Sequence, residues 1–244
     1  MKLFLPLLVL IISGMLSVNT QAQEPLKIAI VANRQAIIDS KILEQVYQRV
    51  GIRMKLLVMP GLRASQEADL GLIDSEVIRI GSYLDAHPQM IRIEPAIDTA
   101  IVAAIFKPKL KGQINSLADL KNLKKYKIGY VRGIKAVHDL IGNLPNAQST
   151  NTPKALMKMF QADRLDIIVE TVGSSNFYIK KLGLQELEQV ELSRQPLYHY
   201  LHKKNRTQAT LIENELKRLV SSGELLKIRA RAEADFEQHE VDPF

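Results

Sequence analysis

The 244-residue chain contains no cysteine. That excludes disulfides, a thiol nucleophile, and the lipid-bearing cysteine that follows the signal of an anchored exported protein. Past the N-terminus no apolar run approaches the roughly 20 residues a membrane-spanning helix needs. There is no HExxH motif and no histidine cluster, so neither a metal nor a metal cofactor is expected. His199 and His202 are three apart in a segment read as extended, which points them to opposite faces. The chain also lacks G-x-S-x-G, a glycine-rich phosphate loop, and carboxylates paired at a telling spacing. Catalysis finds little footing, and no cofactor of any kind is expected. Internal repeats, low-complexity tracts and long linkers are missing as well.

What is present begins at the N-terminus. Lys2 gives a positive start, Leu3 to Leu16 is an almost unbroken apolar run interrupted by Gly14, and residues 18–22 are polar up to the small Ala22. These are the three regions of a signal peptide, with cleavage expected after Ala22. An uncleaved anchor is the alternative, and the shortness of the apolar run speaks against it. Removing the segment takes away Lys2 and no acid, so the net charge falls from +7 by one.

A basic chain can meet nucleic acid, an anionic membrane surface or an anionic small ligand. Export argues against nucleic acid. From Lys107 to Lys135 the chain carries nine lysines and arginines against Asp119 alone. Such a run reads first as a solvated face.

The pattern along the chain alternates strands and helices. Leu26 to Ala32 reads as a buried strand, and Ile38, Ile42, Leu43, Val46 and Tyr47 recur at helical spacing before Gly51. Alternation from Ile52 to Val58 predicts a second strand, giving a right-handed parallel unit. A helix after Pro60, strands at 74–80 and 90–93, and an apolar run from Ala96 to Phe106 follow. Ser116 and Asp119 form a capping box, and Thr152-Pro153 is an N-cap with proline at the first helical position. KIGYV and LDIIV read as buried strands, with Ser174 or Ser175 capping the helix after the second. The chain is read as turning around Pro196 before an alternating LYHYLH segment and two closing helices. This is an α/β protein, and its 222 residues after Ala22 are comfortable for two small lobes.

The order of certain stretches resembles a known family. They are Pro60-Gly61-Leu62-Arg63, Gly71-Leu72-Ile73-Asp74 with Arg79, Ser116-Leu117-Ala118-Asp119-Leu120 before KIGYV and Arg132-Gly133, Asp163-Arg164-Leu165-Asp166 before IIVE, and Ser222-Gly223-Glu224-Leu225 in the closing helices. Together they resemble the bacterial extracellular solute-binding proteins of family 3, the amino-acid type. The resemblance implies a two-lobed periplasmic-binding-protein-like fold of type II, each lobe a mixed sheet flanked by helices, with two hinge strands near 100–106 and 187–193. It assigns residues 24–103 plus 195–244 to lobe 1 and 104–194 to lobe 2. It implies a periplasmic monomer, not an enzyme, that holds a small polar or zwitterionic solute between the lobes for an ABC-type permease or a sensor. A dehydratase-like enzyme acting on a small carboxylate in the same cleft, and a partner-binding module without a ligand, stay open as alternatives.

A zwitterion calls for an arginine on its carboxylate and an acid on its ammonium. The candidates are Arg79 and Glu170, the latter at the carboxyl end of LDIIV, where open α/β sheets place ligands. Arg79 can equally be a surface ion pair with Glu76 or Asp98, and Glu170 a helix-capping or surface acid. Thr171 stands where the family carries its ammonium-binding acid. Arg132 and Gly133, between strand and helix, could seat a carboxylate, or Gly133 could be only a tight turn. Asn33 occupies the loop in which amino-acid binders of this family carry stacking aromatics. Tyr83, Phe106 and Tyr130 could replace those aromatics or belong to the core. Arg63 reads as structural.

Overall fold

A computed structural model of the chain describes residues 24–31 and 33–238. The predicted signal peptide and its cleavage site lie outside the described residues.

In chain order the elements are β1 (Leu26–Ile30), α1 (Arg34–Arg49), β2 (Met54–Val58), α2 (Gly61–Asp69), β3 (Ser75–Ile80), α3 (Tyr83–Ala86), β4 (Met90–Phe106), α4 (Leu117–Asn122), β5 (Ile128–Val131), α5 (Lys135–Ile141), β6 (Ala147–Thr150), α6 (Pro153–Gln161), β7 (Ile167–Thr171), α7 (Val172–Lys181), β8 (Glu188–His202), α8 (Arg206–Ser221) and α9 (Glu224–Gln238). They make a mixed α/β fold around one sheet of order β2-β1-β3-β8-β4-β7-β5-β6. The three strands at each end are parallel among themselves, and the pairings β3–β8, β8–β4 and β4–β7 are antiparallel. The long strands β4 and β8 run through both halves, so two mixed sheets merge into one ladder.

Local sequence explains the elements. Ile42, Leu43, Val46 and Tyr47 put one face of α1 into the first core with Ile28 and Leu216. Asn33 opens that helix, its Oδ1 accepting the Ala36 N–H at 2.9 Å, a cap that satisfies a donor left over by the helix start. Ser116 and Thr152 accept from Asp119 N and Ala155 N in the same way. The second half buries β5 completely, and its core lies on both sheet faces, one around Ile128 and Val137, the other around Ile168 and Phe160.

Several expectations need correction. The segments 90–93 and 96–106 are one strand, because a bulge between Ile93 and Asp98 lets β4 pass Pro95. The chain does not turn at Pro196. That residue sits inside β8 opposite Thr99, just where β3 has ended its pairing at Leu197, so one flank of β8 has no ladder for a proline to interrupt. Ser174 and Ser175 are not caps: β7 extends through Glu170 and Thr171, α7 follows at once, and both serines are buried within it. Sequence reasoning missed β6 and the one-turn helix α3. Arg79 lies on an interior strand of the sheet.

Candidate functional site

The two halves face each other where β4 and β8 pass from one to the other. A cavity of about 70 Å³ lies there, lined by Asn33, Gln35 and Arg79 from the first half, Gly133 and Thr171 from the second, and Ala100 of β4. Two wider cavities adjoin it. One, about 600 Å³, is largely apolar and opens between Leu62 on α2 and Ile134 and Pro153 opposite. The other, about 480 Å³, brings Arg79 and Tyr83 to face Tyr130 and Arg132. Two glycines face each other across the halves: a Cβ added to Gly61 would lie 2.8 Å from the Gly133 carbonyl oxygen. Gly133 has φ 88°, a left-handed conformation that only glycine adopts without strain.

Arg79 is held by its own strand. Its guanidinium pairs with Glu76 three residues earlier, donates to the Gly61 carbonyl at 3.2 Å, and lies 5.5 Å from the Tyr83 ring centroid. The Arg79 and Glu76 side chains are 12% and 2% exposed, so this ion pair is buried rather than superficial. Glu76 also accepts hydrogen bonds from the Tyr83 hydroxyl and from Ser65, the latter at 3.4 Å. Burial and the Glu76 charge push the Tyr83 hydroxyl above the usual phenol range. Arg79 Nε is buried with no protein partner. Asp98 is paired elsewhere: Arg229 bridges it at 2.9 Å and Asp39 at 2.8 Å, and Gln35 Nε2 donates to it at 2.7 Å. Burial, then the charge of Asp98, pushes the Asp39 carboxyl up to about 8.

On the facing half, Arg132 is exposed, and its Nε and Nη2 donate to Ser149 Oγ at 3.3 and 3.1 Å. Thr171 reaches the small cavity, whereas Glu170 is not among the residues lining any of the three. Alternation along β7 sends it away from Thr171's face, and its Oε1 accepts the Thr171 N–H at 2.6 Å and hydroxyl at 3.0 Å. Its Oε2 is buried and unpartnered, and burial lifts the carboxyl to about 7. Of the proposed residues, the fold therefore gathers Arg79, Asn33, Gly133 and Thr171 around one cavity and Arg79, Tyr83, Arg132 and Gly133 around the next.

Phe106 is core. Arg63 is an exposed partner of Glu67. His199 is buried 2.9 Å from the Tyr47 hydroxyl, and burial pushes it down to about 4, which keeps it neutral. Among the described residues no group of histidines and acids is placed to hold a metal. Gln35 and Ser65 were missed, and Glu76 was read only as an ion-pair partner of Arg79. The strand pattern Ser75-Glu76-Val77-Ile78-Arg79 carries an acid and a base three apart, and that was the available signal.

Against this geometry the chain was compared with known proteins. No family model matches it. An uncharacterized protein of Shewanella oneidensis is 29% identical over 199 residues, covering 78% of this chain and 74% of that protein. Among solved structures, the ligand-binding core of GluR0 in complex with L-glutamate matches with a TM-score of 0.74 at 16% identity, covering 86% of this chain and 98% of that one. The fold is that of the two-lobed periplasmic binding proteins. A histidine kinase sensor domain with similarity to periplasmic binding proteins matches at 0.73 and 13% identity, covering 86% of this chain and 96% of that one. The arginine-, lysine-, histidine-binding protein ArtJ of Geobacillus stearothermophilus matches at 0.69 and 14%, with coverage of 85% and 94%.

Proposed function

We propose that this chain is a periplasmic solute-binding protein of the extracellular family 3 kind, which captures a small polar solute between its lobes and presents it to an ABC-type permease or a sensor. The observation that carries the reading is the cleft itself: polar groups from both halves, Asn33, Gln35 and Arg79 on one side and Gly133 and Thr171 on the other, converge on one cavity where two strands cross between the halves. Closing such a cleft takes the ligand out of water, strengthens each polar contact, and couples binding to domain movement. The protein works as a soluble monomer once its signal peptide is removed, with lobes meeting near 103–104 and 194–195. Among the described residues no helix is long and apolar enough to cross a membrane. The fold it shares with a receptor core and a kinase sensor domain, as well as with ArtJ, supports either kind of downstream partner.

A melting-temperature screen with amino acids, small organic acids and short peptides tests this. A ligand that binds only the folded state adds about 2.7 kcal/mol at a hundred times its Kd, which moves the transition by several degrees. Small-angle scattering on the shifting compound should then show a smaller radius of gyration. A well-folded sample that responds to no compound would sink the proposal.

A further inference from the structure

We infer that the ligand is a small organic anion without an ammonium group, a carboxylate held between the halves by Arg132 and Arg79, bound in preference to the amino acid of the same skeleton. This rests on the solute-binding reading and names its substrate class.

The first support is the disposition of acids. An ammonium brought from water into a closing cleft needs a carboxylate or a full set of acceptors, since an unpaired buried charge is very costly. Two acids line these cavities, and both are engaged. Glu76 holds Arg79, Tyr83 and Ser65. Asp139 takes the Lys135 ammonium through both oxygens, at 2.9 and 2.8 Å. Glu170, the remaining candidate, lines none of these cavities: its Oε1 accepts from Thr171, and its unpartnered Oε2 is buried.

The second support is the disposition of cations. Arg132 shares a cavity with Arg79, and the hydrogen bonds of its guanidinium go only to the Ser149 hydroxyl, with no carboxylate partner among the described residues. Arg79 contributes a buried Nε–H that lacks an acceptor. Buried donors are almost always satisfied, so an orphan at the wall of a binding cavity marks where a ligand oxygen belongs. With Glu76 set against Arg79 and Asp139 against Lys135, the charge of Arg132 is left uncompensated. Tyr83 and Tyr130 in the same cavity suit a partly apolar body.

The third support is the field around the cleft. Residues 104–194 carry fifteen lysines and arginines against eight acids, a net +7, while the rest of the described chain carries seventeen against sixteen. Nearly all of the excess positive charge thus sits in the half that presents Arg132. Such a field raises the local concentration of anions and speeds their capture.

Calorimetric titration at neutral pH with matched pairs decides the matter: propionate against alanine, succinate against aspartate, phenylpropionate against phenylalanine, with sulfate at equal ionic strength as control. At least one acid should bind tenfold or more tightly than its amino counterpart, about 1.4 kcal/mol. Arg132→Gln, an exposed position, should leave unliganded melting unchanged and weaken that acid by a similar factor or more. An amino acid that binds as well as its acid overturns the inference and leaves the solute-binding reading standing. Unchanged acid affinity in Arg132→Gln, or an equal effect of sulfate, also overturns it. Silence from every acid and every amino acid also overturns the inference, while the solute-binding reading stands or falls on the wider melting screen.

Discussion

Glu170 has one carboxylate oxygen satisfied by the Thr171 N–H and hydroxyl and a second buried without a partner. Its ionised form is therefore penalised by burial, and the carboxyl titrates at about 7 in the fold against 4.5 when exposed. Below pH 4.5 both the folded and unfolded forms are protonated, and the full stability is present. As pH rises from there toward 7, the unfolded chain releases its proton first, so stability falls and then levels off above the folded value. At 1.36 kcal/mol per unit the loss is roughly 3 kcal/mol. Glu170→Gln keeps the accepting oxygen and cannot ionise. Its melting temperature should exceed that of the parent at pH 8 by several degrees, with the gap closing at pH 4. A gap of the same size at both pH values would show that Glu170 is not the group being destabilised. Arg79 is different in kind: its charge is matched by Glu76, so truncating it strands a buried acid and disturbs folding before it reports on binding.

At the level of elements, α2 approaches the turn between β5 and α5 beside the wider apolar cavity. Gly61 begins α2 with its Cα facing the Gly133 carbonyl, and the missing side chain is what admits that contact. Gly61→Ala should not raise unliganded melting, because what alanine adds to the helix is offset by the contact its Cβ makes with a backbone oxygen. It should also weaken ligand binding by about tenfold or more, since a Cβ 2.8 Å from a backbone oxygen forces the halves apart. Affinity equal to that of the parent would mean that the bound form does not use this contact. The glycine itself was visible in the sequence, in Pro60-Gly61, but its opposite number across the cleft was not, since nothing local ties position 61 to position 133. The same limit explains the strands. Periodicity identified β1, β5 and the closing helices because their signals are local. Pro95 and Pro196 read as breaks, because proline is tolerated in a strand only when the flanking strands leave room, and those strands lie far away in sequence. Glu170 was legible as a buried strand-end acid, but which way it turns depends on β7 running two residues further than the apolar run.

Across the whole molecule, the last helix ties the two halves together. Most of α9 packs with α1 and α8 in the first half, Leu225 and Ile228 joining that core. Its C-terminal end reaches further: the Phe236 ring lies 5.2 Å from that of Phe177 on α7, with Ile37 and Ile38 of α1 beside them. Arg34 pairs with Glu237 at 3.5 Å and sits over the Phe236 ring, and a Cβ at Gly173 would touch Arg34 at 3.4 Å. An apolar contact therefore bridges the halves without lining the small cavity between them. If opening the cleft separates these rings, the contact favours the closed form in proportion to its strength, and an aromatic pair is worth about 0.5–1.5 kcal/mol beyond its buried area. Ligand affinity falls by the fraction of closed-competent protein that is lost. Phe177→Ala alters no residue of the small cavity, yet it should weaken binding several-fold and enlarge the unliganded radius of gyration in small-angle scattering, while the liganded radius stays as in the parent. A variant that loses affinity with no change in the unliganded radius would show that Phe177 supports α7 locally and does not set the balance between open and closed forms.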